Sequence, residues 1–337
     1  MIEQDLKIIK NEIDKAIQDL QLKLDGLTIL TETASNIYFL APIIALAAGA
    51  RKVYALSSTT KYGQFNDIAK RTFKIAENLN LLDSRLEIIK KEHFKAYDEI
   101  DIVTNLGHVR PLDKTVLPKF RSGTIISYMY EAWEYRPADL DLKLCQKNNL
   151  SVYGINEEHP LVNCFAEAGL IGLRLIFDSK ISLLNAKIAV VSRDKFGREI
   201  VKSIRKFNNT VVLIDDFTKN FAKNLKDLDL LVISDYNYLK TIIGDQGIIR
   251  PQNLKLQSPN VKILQYCGHN RLADIKKMHI PIYPDTELEP QRMFLTLGDI
   301  SYRSIVRLYT AGLKVGEIAF HKDFGKLKFR SLIQPIK

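Results

Sequence analysis

Short apolar runs alternate with segments of helical periodicity from Gly26 to Asn156, and the same alternation returns from Lys187 to Pro290. In the first stretch GLTIL, KVYAL, RLEII, DIVTN, GTIISYM and SVYGIN read as strands. Between them stand YFLAPIIALAAGA, apolar all round and therefore buried, the amphipathic FNDIAKRTFKIAENLN, the short LPKF, and ADLDLKLCQKNN. In the second, KIAVV, TVVLIDD, LLVISDY, VKILQY and IPIYP alternate with SRDKFGREIVKSIRKF and NLKDLD. Strands that alternate with helices call for right-handed βαβ crossovers and a parallel sheet. Two such stretches predict an α/β protein of two Rossmann-like parallel-sheet domains with a cleft between them.

The ends and the join complete the layout. Glu3 to Leu24 has the spacing of an amphipathic helix packed on the first domain, and Glu157 to Leu184 reads as a hinge followed by a long helix. SYRSIVRLYTAGLKVGEIAF is helical, and its apolar positions let it cross back onto the first domain. The expected domains are 1–160 plus 300–337, on the substrate side, and 161–299, on the nucleotide side. A chain of 337 residues, 46% hydrophobic and 26% charged, is long enough for both cores.

The formal charge of +10 and the pI of about 9.2 raise the question of a nucleic-acid partner. The lysines are spread among isoleucines and asparagines, without a basic block or an aromatic RNA-binding signature, so none is expected. Only Lys326 to Lys337 is locally basic. Three scattered cysteines, Cys145, Cys164 and Cys267, make neither a disulfide framework nor a zinc site, and no HExxH or CxxC pattern points to a metal. No apolar run reaches the ~20 residues that span a bilayer. With no leader ahead of Met1-Ile2-Glu3, a reducing, cytoplasmic setting and no membrane partner are expected.

Open parallel sheets bind ligands beyond the carboxyl ends of their strands, so the polar residues there are the candidates. Thr104-Asn105-Leu106-Gly107-His108-Val109-Arg110-Pro111 follows DIVTN; its glycine permits close backbone approach, and its proline stops the strand. Histidine titrates near neutral pH, so His108 is the expected general acid-base, with Asn105 and Arg110 orienting an anionic substrate. A polar loop in which His108 only caps or bonds a carbonyl is the plainer alternative. VKILQY ends in Cys267-Gly268-His269-Asn270, a second Gly-His pair that makes His269 a further candidate, with Cys267 beside it as a lone thiol. Glu131 and Trp133 follow GTIISYM, and Glu157 and His159 stand at the crossover; each pair is a candidate for substrate contact or a structural tie. Ser58 and Lys61, in SSTTKYG, have the chemistry of an anion cradle, or of a plain turn.

A dinucleotide site combines a strand, GxGxxG, a helix, and an acid about 20 positions on for the ribose. KIAVV supplies the strand, Gly197 the third glycine, and Asp215 or Asp216 the acid. The first two glycine positions hold Ser192 and Asp194, with Arg193 between them. A carboxylate ~4 Å from a phosphate costs about 4 kcal/mol at an effective dielectric of ~20. Arg193, Lys195 and Arg198 offset part of that cost, but not the lost space.

The order of elements over roughly residues 25 to 322 resembles the two-domain NAD-dependent dehydrogenases of the formate/glycerate dehydrogenase and S-adenosylhomocysteine hydrolase type. These have a discontinuous first domain, an inserted Rossmann domain and a returning helix. The resemblance implies NAD or NADP, a homodimer, and an oxidoreductase acting on a small anionic metabolite. It fails at two catalytic positions: Gln265-Tyr266-Cys267-Gly268-His269 lacks the family's arginine, and no histidine lies near Leu297-Gly298-Asp299. Glu287 or Glu289 matches its acid. An S-adenosylmethionine-dependent methyltransferase is the alternative for ALAAGARKVYAL, although TETASN replaces the glycine-rich loop. A non-catalytic ligand-binding Rossmann protein is the third reading.

Overall fold

The structure, a computed structural model, describes residues 3–207, 210–218, 222–325 and 327–336. Met1, Ile2 and, from the basic tail, Lys326 and Lys337 lie outside the described residues. The chain divides into two compact units, one of Met1–Cys164 and Ser301–Lys337, the other of Phe165–Ile300.

The first unit opens with helix α1 (Glu3–Leu20), whose Ile9, Ile13, Ala16 and Leu20 form one buried stripe. Burying each of its larger side chains contributes about 1.5–3 kcal/mol. The helix stops before the expected Leu24, at Gln21, whose φ of 50° is left-handed. There follow β1 (Thr28–Glu32), α2 (Leu40–Ala47), β2 (Lys52–Ser57), α3 (Phe65–Asn78), β3 (Leu86–Lys90), β4 (Ile102–Thr104), β5 (Ile125–Ser127), α4 (Leu142–Lys147) and β6 (Ser151–Ile155). LPKF forms one 3-10 turn, Leu117–Lys119. As its composition requires, α2 is buried from Leu40 through Leu46.

The second unit runs through α5 (Glu167–Asp178), β7 (Ile188–Val191), α6 (Lys195–Ile204), β8 (Val212–Ile214), β9 (Leu230–Ser234), α7 (Pro251–Gln257), β10 (Lys262–Cys267), α8 (Leu272–Lys277) and β11 (Ile282–Tyr283). The sequence pattern did not anticipate α7 and α8, which bury only Pro251 and Leu254 and only Ile275 and so show little of an apolar face. The chain then returns to the first unit as α9 (Tyr302–His321) and β12 (Ile333–Pro335).

Among the described residues the first sheet has the order β3-β2-β1-β4-β5-β6-β12, parallel except for the antiparallel edge strand β12. The second has the order β11-β10-β9-β7-β8 and is parallel throughout. Both are doubly wound orders, with a switch point between β1 and β4 in the first unit and between β7 and β9 in the second. Helix α9 packs on α1, α2 and β4 to β6. It approaches so closely at Gly316 that an added Cβ would stand 2.7 Å from Ile102 Cγ2. No helix of the described residues is long and apolar enough to cross a membrane.

Glycine also sets the contact of α5 with α6 in the second unit. A Cβ at Gly169 would overlap Ser203 Oγ and stand 2.8 Å from the carbonyl oxygen of Glu199, and the latter is backbone that cannot turn aside. Gly169→Ala is expected to destabilise the second unit by roughly 1–3 kcal/mol through overpacking. Urea denaturation followed by far-ultraviolet circular dichroism tests this; an unchanged midpoint would show that α5 can shift at no cost.

Candidate functional site

In the first unit β1 is paired to β2 through Glu32 with Leu56, and to β4 through Leu30 with Val103. The end of β1 therefore lies between the loops that leave β2 and β4, at the switch point. Glu32, the last residue of β1, is 5% exposed, and its Oε2 accepts the backbone N–H of His108 at 2.7 Å. The loop passes close beneath it at Gly107, where an added Cβ would be 3.0 Å from Glu32 Oε2 and would press the carboxylate aside by a few tenths of an ångström. Burial raises the pKa of Glu32, against the lowering effects of the His108 amide, Arg110 and the Gly107 amide.

The loop after β4 is pinned from the other side as well. Lys91 Nζ donates to the carbonyls of Val109 at 2.7 Å and Arg110 at 2.8 Å. His108 is half-buried, and its Nδ1 lies 2.9 Å from Ser58 Oγ. This bond fixes the ring and leaves Nε2 for a ligand. Burial, and then the charge of Lys91, lower the pKa of His108, so its imidazole is neutral at pH 7.

Arg110 Nη1 donates to Asp139 Oδ2 at 2.7 Å, and Arg136 Nε stands 2.7 Å from the same oxygen. Two guanidinium groups thus share one carboxylate. Burial works against the charge of Arg110, but Tyr130, Asp139 and Glu32 outweigh it, and its pKa stands above the ordinary value. Asn105 Oδ1 accepts the N–H of Met129 at 2.8 Å, while its buried Nδ2 has no partner among the described residues. From α9, Tyr309 is buried in the same electrostatic neighbourhood; burial and then Glu32 raise its pKa well above the ordinary value.

The structure therefore gathers Ser58, Asn105, His108 and Arg110, and adds Glu32, Lys91, Asp139 and Tyr309. An acid ending the apolar run TILTE was the available signal for Glu32; the other three carry no local mark. The remaining first-unit candidates are placed otherwise. Lys61 is exposed, its Nζ 5.1 Å from the ring centre of Tyr62. Glu131 is fully buried and accepts the Trp133 indole N–H and, at 3.1 Å, the N–H of Glu157, so it ties the loop after β5 to the end of β6. His159 Nδ1 accepts the N–H of Leu161 at 3.2 Å, and its Nε2 donates to the carbonyl of Lys328 at 3.2 Å. Both nitrogens of His159 are thus bound to backbone groups, one of them the carbonyl of Lys328 far along the chain.

In the second unit, Ser192, Arg193 and Asp194 follow β7, and Asp235 and Tyr236 follow β9 across the switch point. Asp194 caps α6: Oδ1 accepts the N–H of Phe196 at 3.0 Å, and Oδ2 accepts that of Tyr236 at 2.6 Å. Ser192 Oγ donates to Asp194 Oδ1 at 3.0 Å. Burial, with the charge of Asp235 adding to it, pushes the pKa of Asp194 up to about 6. Arg193 is held by Asp235 through Nε at 2.8 Å and Nη2 at 3.2 Å. The charge expected to offset Asp194 is therefore already paired.

Gly197 packs so closely that an added Cβ would overlap Ser192 Cβ, as at the third glycine of a dinucleotide turn. Asp215 is exposed after β8, and Asp216 Oδ1 caps its own turn by accepting the N–H of Thr218 at 2.9 Å. Gly268, with φ of 98°, admits no side chain, and His269 Nδ1 lies 3.3 Å from the carbonyl oxygen of Leu288. The described residues contain no group of three or more His, Cys, Asp or Glu that could hold a metal ion.

No protein-family model matches this chain, and no curated protein matches it. Solved structures do. A dipicolinate synthase polypeptide from Bacillus halodurans is 11% identical, with a TM-score of 0.50 over 90% of this chain and 99% of that one. Phosphoglycerate oxidoreductase from Vibrio cholerae O395 is 10% identical, with a TM-score of 0.44 over 88% of this chain and 99% of that one. The likeness to the first is one of fold, and it supports the two-unit Rossmann layout implied by the order of elements.

Because its pKa is raised, Glu32 holds its proton to higher pH in the folded chain than in the unfolded one. The stability tied to that proton is complete below the ordinary carboxylate value of 4.5 and is lost as pH rises through the raised value. Glu32→Gln, which keeps an acceptor for the His108 amide, is expected to flatten this part of the dependence of thermal unfolding on pH. A variant whose unfolding midpoint follows pH as steeply as the wild type would assign the slope to other groups.

Proposed function

We propose that this chain is an oxidoreductase-like Rossmann enzyme that acts on a small anionic metabolite at the ends of β1, β2 and β4. The observation that carries this reading is the imidazole of His108, held by Ser58 and lowered in pKa by burial and Lys91, on the same loop after β4 as the guanidinium of Arg110. Arg110 anchors a carboxylate or phosphate of the substrate through N–H groups that its bond to Asp139 leaves over. His108 Nε2 takes a proton from a substrate hydroxyl or from carbon next to a carbonyl, and returns it in the reverse direction. The lowered pKa keeps the base form available on the acid side of neutrality.

NAD or NADP enters this reading through the fold and supplies hydride transfer where it binds. Asp215 follows β8, at the sequence position expected of the acid for the ribose, but Ser192 and Asp194 do not fit a pyrophosphate at α6. Neither S-adenosylmethionine nor a purely ligand-binding role has a structural observation in its favour. A cytoplasmic setting and a homodimer belong to the same proposal.

The test is a panel of 2-oxo and 2-hydroxy carboxylates and inorganic phosphate, read by thermal shift, and by turnover with NADH and NADPH. Arg110→Gln is expected to abolish the stabilisation by ligand, which amounts to about 2.7 kcal/mol at a ligand concentration of about 100 times Kd. His108→Gln is expected to keep that stabilisation and to lower turnover roughly 10²–10⁴-fold. The acid limb of kcat/KM is expected below pH 6.5, the ordinary histidine value. Full turnover by the His108 variant, or unaltered binding by the Arg110 variant, would sink the assignment.

A further inference from the structure

The second unit has the framework of a dinucleotide turn and a carboxylate in the middle of it. Ser192 and Asp194, between β7 and α6, and Gly197, in the first turn of α6, stand at the three glycine positions; α6 has ten residues. Such a turn exists to bring a phosphate to the free N–H groups at the start of the helix. Here Asp194 occupies donors of that helix start, the N–H groups of Phe196 and Gly197. Asp194 accepts the N–H of Phe196 at 3.0 Å within the helix start, and the N–H of Tyr236 at 2.6 Å from the far side of the switch point.

Tyr236 carries the argument beyond ordinary helix capping. An N-cap aspartate satisfies the first turn of its own helix and nothing else. Asp194 also closes the gap between the loops of β7 and β9, where the ligand enters in doubly wound folds. Beside it Arg193 and Asp235 form a second, two-point closure between the same loops, and the Arg193 guanidinium lies 4.7 Å from the Phe217 ring centre and 4.9 Å from that of Tyr238.

We infer that the carboxylate of Asp194 takes the place of a dinucleotide's pyrophosphate, so that the second unit carries its own anion there and excludes a diphosphate from α6. The close contact of Gly197 with Ser192 is kept because the helix must still approach the strand; the other two glycines are dispensable once no ligand has to pass. A diphosphate at this seat would meet a buried negative charge of the same sign and lose both N–H donors. The inference concerns the second unit only; it uses nothing of His108, and it means that any NAD or NADP serving the reaction proposed above is not seated by its diphosphate at α6.

Asp194→Gly restores the small residue of a dinucleotide turn, and Asp194→Ser keeps an N-cap acceptor that is neutral and short. Inorganic pyrophosphate and NADH are the probes, with binding read from the backbone amide resonances of Phe196, Gly197 and Tyr236 in the full chain. Pyrophosphate is expected to leave these amides unmoved in the wild type and to shift them in both variants, with affinity at least roughly tenfold higher, about 1.4 kcal/mol. Adding Arg110→Gln to Asp194→Ser is expected to leave these shifts in place, which separates this seat from an anion site in the first unit. Shifts of the three amides in the wild type at the variants' affinity would overturn the inference. So would folded variants that bind no better than the wild type, and Asp194→Ser decides alone if circular dichroism shows the glycine variant unfolded.

Discussion

In each unit a carboxylate from the end of the first strand, or just beyond it, accepts a backbone N–H from the loop on the other side of the switch point. Glu32 does so with His108 at 2.7 Å, and Asp194 with Tyr236 at 2.6 Å. At a switch point neighbouring strands send their connections in opposite directions, so amide groups at the strand ends are left without a ladder partner. A buried carboxylate meets that need and joins two loops that no sheet hydrogen bond joins. The cost is a buried charge, and the raised pKa of both acids expresses it.

The two bridges differ in what they leave for a ligand. Glu32 holds the backbone of His108 and leaves its imidazole bonded to the hydroxyl of Ser58, with Arg110 two residues further along the same loop. Lys91 fixes the same loop by its carbonyls, so the loop is tied through both its donors and its acceptors. Asp194 instead sits on the helix start itself. The same interaction frames a polar site in one unit and fills one in the other.

Much of the fold was legible because alternation of apolar runs is a local property. The segments TILTE, KVYALS, IAVV and LLVIS are strands at the positions where the pattern puts them. The all-apolar LAPIIALA is buried because no face of it can meet water. Short elements such as α7, α8 and β12 were not legible, since α7 buries only Pro251 and Leu254 and α8 only Ile275, too few apolar positions to mark a face, and β12 depends on pairing with β6 far away in the chain. Of the candidate site, the TNLGHVRP loop stood out by its chemistry, but Glu32 and Tyr309 did not, being 76 and 201 residues from His108 along the chain.

What the sequence by itself determined is the class of the fold and the residue types available at the strand ends, because periodicity and composition act over a few residues at a time. The tertiary structure decided which of those residues meet. It matched Ser58 to His108 across 50 positions and Arg110 to Asp139 across 29, bound both nitrogens of His159 to backbone, and aimed Asp194 at Tyr236. The reason is geometric: strand order places neighbours that chain order does not, and the hydrogen-bond capacity left at a switch point is known only when both of its sides are present.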